Sequence, residues 1–307
     1  MIVILNTKAS DGRGRAKWER VRPELERRAG RLRVLEVGSP ESVGAAVREA
    51  AARGERTFIA AGGDGTVNLL LNAIMELGEG VDIALGAVGL GSSNDFHKPF
   101  EKRAFVSGVP VRVDCGRADQ RDVIRIDVED ETGHLSTRYA IINASVGIAA
   151  AANASFNDPT RFVRGMRRLS VNAAIVASVL RALATYRDVG CRITIDGNDE
   201  GTFSVSSLGI IKSPHFAGAF CYDTPIGLDD GMLGINLCER LTWFQVLATL
   251  AALSRRRFAG RPKTRSWTGQ RVCVVGDRAF ALEMDGEVVT ARRAEFTALR
   301  KRMRCCR

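Results

Sequence analysis

Residues 57–68 read Thr-Phe-Ile-Ala-Ala-Gly-Gly-Asp-Gly-Thr-Val-Asn. The short apolar run at 57–60, bounded by glycines, predicts a buried strand, and the apolar periodicity of 66–77 predicts a helix. Three glycines in four positions let the backbone turn tightly and approach a phosphate group at the helix N-terminus. The stretch therefore predicts a phosphate-binding strand–loop–helix unit. The alternative is a plain turn in which Asp64 caps the helix.

The same alternation extends over the first 115 residues. It predicts strands at 2–5, 32–37, 57–60 and 83–88 and helices at 15–28, 41–51 and 66–77. Strands alternating with helices are typical of a parallel sheet with crossover helices. Ligands of such sheets bind at the carboxyl ends of the strands, so the loops at 6–14, 62–66 and 89–95 are the candidate site.

From about Val111 the pattern changes to strands separated by turns such as Asp196-Gly197-Asn198 and Gly276-Asp277. Strands are predicted at 121–128, 137–143, 191–195, 203–211, 233–237, 271–275 and 280–284, and helices near 169–186 and 241–256. The fold class is thus an α/β N-terminal domain with a parallel sheet plus a mostly antiparallel β C-terminal domain. We place the first domain at 1–112, completed by 294–307, and the second at 113–293.

The composition excludes a disordered or fibrous chain, because 45% of the 307 residues are hydrophobic and 26% are charged. No apolar run approaches the roughly 20 residues that span a bilayer, and the start at 1–6 lacks a basic leader, so we expect a first strand and no export. Seven scattered cysteines predict neither a disulfide framework nor a zinc site, and they favour a reducing cytoplasm. Cys305-Cys306 reads as part of an exposed basic tail, with reversible acylation as the alternative.

The net charge of +10 predicts an anionic partner. The basic residues form three clusters: Arg161, Arg164, Arg167 and Arg168; Arg255–Arg257 with Arg261, Lys263 and Arg265; and residues 300–307. Because aromatic residues are not interleaved with them, an anionic membrane surface is favoured over nucleic acid. Solvated helix faces remain the alternative.

Seven motifs in order resemble the diacylglycerol kinase catalytic family, which includes sphingosine and ceramide kinases. Gly62–Asn68 resembles its GGDGT-x-N loop, and the other matches are Asn6–Gly12, Gly91–Phe96, Val113–Gly116 with Asn143–Gly147, Asp230–Leu233 and Asp285–Glu287. In isolation, Asp285-Gly286-Glu287 is better interpreted as a hairpin turn. The sequence departs from the family pattern in four places. Leu69 stands where the family commonly has Glu, and the opening loop lacks the usual proline. Val88 replaces the proline before the loop at 89–95, and Ser92-Ser93 replace Thr and its neighbour.

The resemblance implies a kinase of the NAD kinase/diacylglycerol kinase-like fold that uses ATP and Mg²⁺. The residues it implies for ATP are Asn6, Ser10, Gly62, Gly63, Asp64, Gly65, Thr66, Asn68, Ser92, Asn94 and Asp95. It also implies that Glu287 accepts the proton of a lipid hydroxyl, that Asp64 positions Mg²⁺ and the γ-phosphate, and that Gly227, Asp230 and Met232 bind a structural metal. Lys8, Arg13 and Arg15 are further candidate phosphate clamps.

The expected activity is transfer of the γ-phosphate to a lipid hydroxyl, with diacylglycerol first and a sphingoid lipid or ceramide next. The sequence is also compatible with an NAD kinase-like metabolite kinase and with an inactive nucleotide-binding homologue. We expect a lipid substrate at an anionic membrane surface, no nucleic acid partner, and a homodimer as a further association. The expected location is the cytoplasm, peripheral at the inner membrane surface.

Overall fold

The computed structural model describes residues 1–10, 12–37, 39–78, 82–99, 104–157 and 186–307. They form two compact units, Met1–Val123 with Arg300–Arg307 (unit 1) and Ile124–Leu299 (unit 2). The chain leaves unit 1 within strand β7, Asp119–Glu129, and returns within β17, Glu287–Cys305. The domain boundaries that the sequence places at 112 and 293 stay a prediction.

Unit 1 contains the parallel sheet predicted from the alternating pattern. Its strands are β1 (Ile2–Leu5), β2 (Arg33–Glu36), β3 (Thr57–Gly62) and β4 (Ala84–Gly89), in the order β2-β1-β3-β4. The crossover helices are α1 (Gly14–Ala29), α2 (Pro40–Ala52) and α3 (Asp64–Met75). A hairpin of β5 (Ala104–Val106) and β6 (Val109–Arg112) adds to β4, which also pairs in parallel with Arg304 and Cys305 of β17.

The core of unit 1 follows from simple periodicity. All four residues of β1 are buried, as expected of a strand covered on both faces. Trp18, Val21 and Leu25 recur at helical spacing on α1 and pack into the cluster that contains Val3 and Ile59. This packing fixes the carboxyl ends of β1, β3 and β4, where the candidate loops begin.

Unit 2 is mostly antiparallel. Its remaining elements are β8 (Leu135–Ala140), β9 (Asn143–Gly147), α4 (Ile148–Asn157), β10 (Val189–Ile195), β11 (Asn198–Ile211), β12 (His215–Phe216), β13 (Phe220–Cys221), β14 (Leu233–Glu239), α5 (Trp243–Leu253), β15 (Thr264–Gly269) and β16 (Arg271–Met284). The sheet runs β15-β14-β11-β10-β16-β17, and β9 pairs with β11 and β16. Both parts of the predicted fold class are thereby confirmed.

Three sequence expectations in unit 2 have different outcomes. The turn predicted at Gly276-Asp277 is wrong, because β16 continues through a register shift between Val275 and Phe280. A Cβ at Gly276 would lie 2.4 Å from the carbonyl oxygen of Arg278, so this glycine permits an irregular strand. The helix predicted near 241–256 is α5, which begins at a capping box of Thr242 and Gln245. The helix predicted at 169–186 lies almost wholly outside the described residues.

The cysteine predictions are wrong at the C-terminal segment. Cys305 and Cys306 are both fully buried, so they do not belong to an exposed tail. Cys306 forms a disulfide with Cys115, although the scattered cysteines predict none. The two partners are 191 residues apart, and only the fold shows that they meet.

The basic clusters differ in their surroundings. Arg304 pairs with Asp82, Arg307 pairs with Asp119, and Arg302 donates to the carbonyl of Gly78. The third cluster is thus largely engaged in contacts within unit 1. The first cluster, Arg161–Arg168, lies outside the described residues. Among the residues that the structure describes, no helix is long and apolar enough to cross a membrane.

Candidate functional site

The loop after β3 and the loop after β4 are held against each other in unit 1. The amides of Leu90 and Gly91 donate to the carbonyl of Gly62 at 2.8 and 3.1 Å. A Cβ at Gly91 would lie 2.5 Å from the Cα of Gly63, closer than atoms can approach. Residue 91 therefore has to be glycine, whereas a Cβ at Gly63 would lie 3.3 Å from the Cα of Gly91 and would need only a small shift.

Thr66 connects the glycine-rich loop to the opening loop. Its hydroxyl oxygen accepts a hydrogen bond from the Asn6 side chain at 3.2 Å, and Asn6 Oδ1 accepts one from the Lys8 amide at 3.0 Å. A Cβ at Gly62 would lie 2.2 Å from Thr66 Oγ1. The first turn of α3 can pack this closely on β3 only because residue 62 is glycine.

Ser10 and Lys17 join the opening loop to the loop after β4. The Ser10 hydroxyl donates to the carbonyl of Leu90 at 2.6 Å, and the Lys17 ammonium donates to Ser10 Oγ at 2.8 Å and to the same carbonyl at 3.0 Å. Burial, together with the charges of Arg13 and Arg20, lowers the pKa of Lys17. Lys17 therefore lies where the opening loop meets the loop after β4.

Sequence reasoning missed Lys17 and proposed Lys8, Arg13 and Arg15 as clamps. Arg15 forms an ion pair with Glu36 at 2.6 Å, and Arg13 donates to the carbonyl of Ser10 at 3.2 Å. The sequence alone could not single out Lys17, because Arg13, Arg15 and Lys17 all lie at the start of α1, where the helix dipole opposes a cation.

Asp64 and Asn94 form hydrogen bonds that order the loop after β4. Asp64, at the start of α3, accepts a hydrogen bond from the Phe96 amide at 3.0 Å. Asn94 adopts a left-handed conformation and donates to the carbonyls of Gly89 and Gly91, both at 3.2 Å. Its Oδ1 is a buried acceptor without a hydrogen-bond partner in the described part of the chain.

The remaining predicted nucleotide residues lie close by in sequence but differ in exposure. Asn68 is buried and accepts a hydrogen bond from Asn72 at 3.2 Å. Asp95 is buried and pairs with Lys98 at 2.6 Å. Ser92 is exposed. A direct contact of these three residues with nucleotide stays a prediction.

The arrangement fits a phosphate chain. The N-cap of α3 is Gly63, which has no side chain, so amides of the first turn face the glycine loop from a positive helix end. Because residues 62, 63 and 65 are glycines, the loop has few side chains that would obstruct an anion. The Asp64 carboxylate is also of the type that Mg²⁺ prefers.

In unit 2, Asp285 and Gly286 form the two-residue loop of a hairpin between β16 and β17, and Glu287 is the first residue of β17. Asp285 and Gly286 have φ of 47° and 105°, and Met284 pairs with Glu287. Glu287 is exposed at the start of β17. Its carboxylate therefore lies on a defined turn and is accessible.

Two buried carboxylates, Asp285 and Glu283, to which sequence reasoning assigned no role, hold this turn. Asp285 accepts hydrogen bonds from the amides of Ile141, Ile142 and Asn143 at 2.7, 3.0 and 2.8 Å. Glu283 accepts from the Ser145 hydroxyl at 2.8 Å and the Gly286 amide at 2.7 Å. An Asp in a turn would ordinarily be exposed, so only the adjacent Glu in a buried strand could have signalled this arrangement.

The predicted metal ligands also lie in unit 2. Asp230 accepts from the amides of Gly227 at 2.6 Å and Met232 at 2.9 Å, and from the Lys212 ammonium at 2.5 Å. Burial raises the pKa of Asp230, but the hydrogen bonds from Lys212, Met232 and Gly227 outweigh it, so that this pKa lies below its usual value. These residues do not fit a divalent metal, because Lys212 already lies between the oxygens that would bind it.

A parallel sheet with a glycine-rich loop after β3, followed by a mostly antiparallel β unit, is the fold of NAD kinase/diacylglycerol kinase-like proteins. Residues 1–126 match the diacylglycerol kinase catalytic domain, and residues 143–305 match the YegS C-terminal NAD kinase beta sandwich-like domain. The chain belongs to the diacylglycerol kinase catalytic family.

Relatives match along most of the chain. A "Probable lipid kinase YegS-like" of Xanthomonas oryzae pv. oryzae (strain MAFF 311018) is 26% identical over 316 residues, covering 98% of this chain and 94% of the relative. A protein with the same description from Xanthomonas campestris pv. campestris (strain 8004) is 27% identical over 273 residues, covering 84% and 81%. The crystal structure of a diacylglycerol kinase from Bacillus anthracis str. Sterne superposes with a TM-score of 0.69 at 15% identity, covering 99% of this chain and 95% of that one. The last similarity concerns the fold.

Proposed function

We propose that this chain is an ATP-dependent lipid kinase that transfers the γ-phosphate to a lipid hydroxyl, with diacylglycerol as the acceptor and phosphatidic acid as the product. The observation that carries the proposal is the close packing of Gly63 on Gly91 at the N-terminus of α3, whose N-cap is a glycine. Membership of the diacylglycerol kinase catalytic family supports the class of reaction. The choice of diacylglycerol over a sphingoid lipid or ceramide is the finer part of the proposal.

On the nucleotide side, the loops of unit 1 bind and orient the phosphates. The helix N-terminus of α3 supplies amides that would donate to phosphate oxygens, and Lys17 keeps the Ser10 loop against the loop after β4. Mg²⁺, when bound, neutralises charge on the transferring phosphoryl group, and Asp64 is the carboxylate that we assign to hold it in position. The protein itself therefore orients the phosphates and supplies hydrogen-bond donors that are already in place before transfer.

On the acceptor side, Glu287 is the assigned proton acceptor. The lipid hydroxyl oxygen forms a bond to the γ-phosphorus, the bond from that phosphorus to the β,γ-bridging oxygen breaks, and ADP leaves. The hydroxyl proton passes to the Glu287 carboxylate. Asp285 and Glu283 position the turn through five hydrogen bonds and do not take part in the transfer.

The test is a phosphorylation assay with Mg²⁺ and labelled ATP on separate acceptors: diacylglycerol, ceramide, sphingosine and NAD. We expect labelled phosphatidic acid, identified by mass spectrometry, and a loss of turnover of at least about 100-fold in Asp64→Asn and Glu287→Gln. Glu200→Gln is the matched control, because Glu200 also lies on a hairpin of unit 2. Label on NAD alone would replace the proposal with a metabolite kinase. ATP binding without turnover on any acceptor would indicate an inactive homologue.

We further propose that α5 brings unit 2 to an anionic membrane from the cytoplasmic side. Trp243 and Phe244 are 52% and 65% exposed, and Ala248 and Ala251 continue the exposed apolar face along the helix. Arg255–Arg257 are exposed directly after the helix. An apolar face followed by cations is the pattern of a helix that lies in a membrane interface. Within the same cluster, Lys263 and Arg265 are engaged with Gln245 and the Phe203 ring.

Vesicle sedimentation tests this surface. Replacing Arg255–Arg257 by Gln should weaken binding to phosphatidylglycerol vesicles on the order of 100-fold, since each basic residue contributes about 1 kcal/mol. The control replaces Arg125, Arg138 and Arg192, which are exposed elsewhere in unit 2 and remove the same charge. Binding of the unaltered protein should fall as salt rises from about 0.05 to 0.5 M. Equal losses in both triple variants would reject a local surface.

A further inference from the structure

The loop 226–232 is organised around one carboxylate. The amides of Gly227 and Met232 both donate to Asp230, one to each oxygen. A Cβ at Gly227 would lie 3.1 Å from Asp230 Oδ2, so a small residue lets the carboxylate come this close. The loop therefore concentrates negative charge where it meets the end of β11.

A cation from the protein itself lies at this position. The side chain of Lys212, directly after β11, is completely buried, and its ammonium donates to Asp230 Oδ1 at 2.5 Å and to the carbonyl oxygen of Met232 at 2.6 Å. One carboxylate oxygen and one carbonyl oxygen are also the ligand types that a hard divalent cation selects. The ammonium thus uses the oxygens that a metal ion would need.

A divalent ion and this ammonium exclude each other. Mg²⁺ binds oxygens at about 2.1 Å, so an ion bound to Asp230 Oδ1 and the Met232 carbonyl would overlap Lys212 Nζ. An ion beside the ammonium would be repelled by its positive charge. Removing a buried, paired ammonium from its acceptors is also strongly unfavourable. The stable occupant of the position is the lysine.

The backbone at Lys212 ties this arrangement to the rest of unit 2. The amides of Lys212 and Ser213 donate to the carbonyl of Ile142, and the amide of Ile142 donates to Asp285. The loop, the end of β11 and the turn that bears Glu287 therefore share one set of backbone contacts. A cation that anchors the loop also supports the acceptor-side turn.

We propose that Lys212 takes the place of the structural metal ion that the family resemblance implies, so that Asp230 and Met232 bind an internal ammonium, the Gly227 amide holds Asp230 in position, and unit 2 needs no divalent cation. The inference goes beyond the proposed activity and does not depend on which acceptor is phosphorylated. It sets aside the metal assignment of these three residues while leaving Mg²⁺ at the nucleotide untouched.

The first test is thermal unfolding of the full chain without nucleotide, in EDTA and in excess Mg²⁺ or Ca²⁺. We expect equal Tm values, whereas a structural ion at 100 times its Kd would raise Tm by roughly 5 to 10 °C. A metal-dependent rise of that size that disappears in Asp230→Asn would overturn the inference.

Two variants at position 212 complete the test. Lys212→Met keeps most of the volume but removes the charge, and its Tm should fall by about 5 °C with no recovery in metal. Lys212→Ser opens the position, and its lower Tm should recover in Mg²⁺ or Ca²⁺. Recovery should be absent from Lys212→Ser combined with Asp230→Asn.

Two results would contradict the inference, and a third would leave the decision to the other measurements. An unchanged Tm in Lys212→Met would show that the ammonium does not stabilise the loop. Destabilised Lys212→Ser without metal recovery would show an ordinary ion pair and no replaced metal site. If Lys212→Ser does not fold, the response of the unaltered protein to metal and the Tm of Lys212→Met decide.

Discussion

Replacement of Gly91 by Ala tests whether the contact between the loops after β3 and β4 determines the proposed nucleotide binding. A Cβ at residue 91 would be 2.5 Å from the Cα of Gly63 and 3.0 Å from Asn94 Oδ1. Ordinary contact requires about 3.5 Å, so the loops must separate by about 1 Å, and both sides are backbone or fixed side chain. Misplacement by about 1 Å can cost on the order of 100-fold in rate.

A graded series makes this prediction specific. A Cβ at Gly63 would be 3.3 Å from the Cα of Gly91, so Gly63→Ala requires a shift of only a few tenths of an ångström. At Gly116, in the same unit, the nearest atom would be 3.6 Å away, which is ordinary contact. We therefore expect the loss of ATP affinity, measured by calorimetry, and of turnover to be largest in Gly91→Ala, smaller in Gly63→Ala and absent in Gly116→Ala. Unchanged ATP affinity and turnover in Gly91→Ala would refute the reasoning.

Three further predictions concern stability. Asp285→Asn should lower the free energy of unfolding by about 2 to 4 kcal/mol in urea titrations, because an amide group cannot accept all three backbone hydrogen bonds; an unchanged midpoint would contradict the anchoring role. The lowered pKa of Asp230 means that its contribution is complete above the usual carboxyl range near pH 4 and is lost as pH falls through the lower folded pKa. The difference in stability between the protein and Asp230→Asn should therefore be constant at neutral pH and shrink only in acid. Dithiothreitol should destabilise the protein by about 2 to 4 kcal/mol and leave Cys115→Ser unaffected, since that variant lacks the disulfide to Cys306.

The sequence predicted the elements that local patterns determine. The strands β1 to β4 are short apolar runs bounded by turn residues, and the loop at Gly62–Thr66 combines glycines with a helix start, so nearest neighbours were sufficient. Local patterns misled at Gly276-Asp277, because the same dipeptide suits a turn and an irregular strand. The partner strands decide between the two.

The unpredicted features all depend on residues that are distant in sequence. Lys212 and Asp230 are 18 residues apart, Ile141 and Asp285 are 144 apart, and Cys115 and Cys306 are 191 apart. A buried charge is stable only with its partners, and the partners are defined by the folded sheet. The sequence therefore indicates that these residues are polar or reactive, but their neighbours determine what they do.

The return of the chain to unit 1 has a consequence for biosynthesis. Arg304 and Cys305 pair with Ala84 and Leu85 of β4, and Arg307 exchanges backbone hydrogen bonds with Asp114. At about 5 to 20 residues per second, the ribosome needs on the order of 10 to 40 s after Val123 to supply these partners. Unit 1 must therefore wait on the nascent chain with one edge of its sheet incomplete, while the whole of unit 2 is translated.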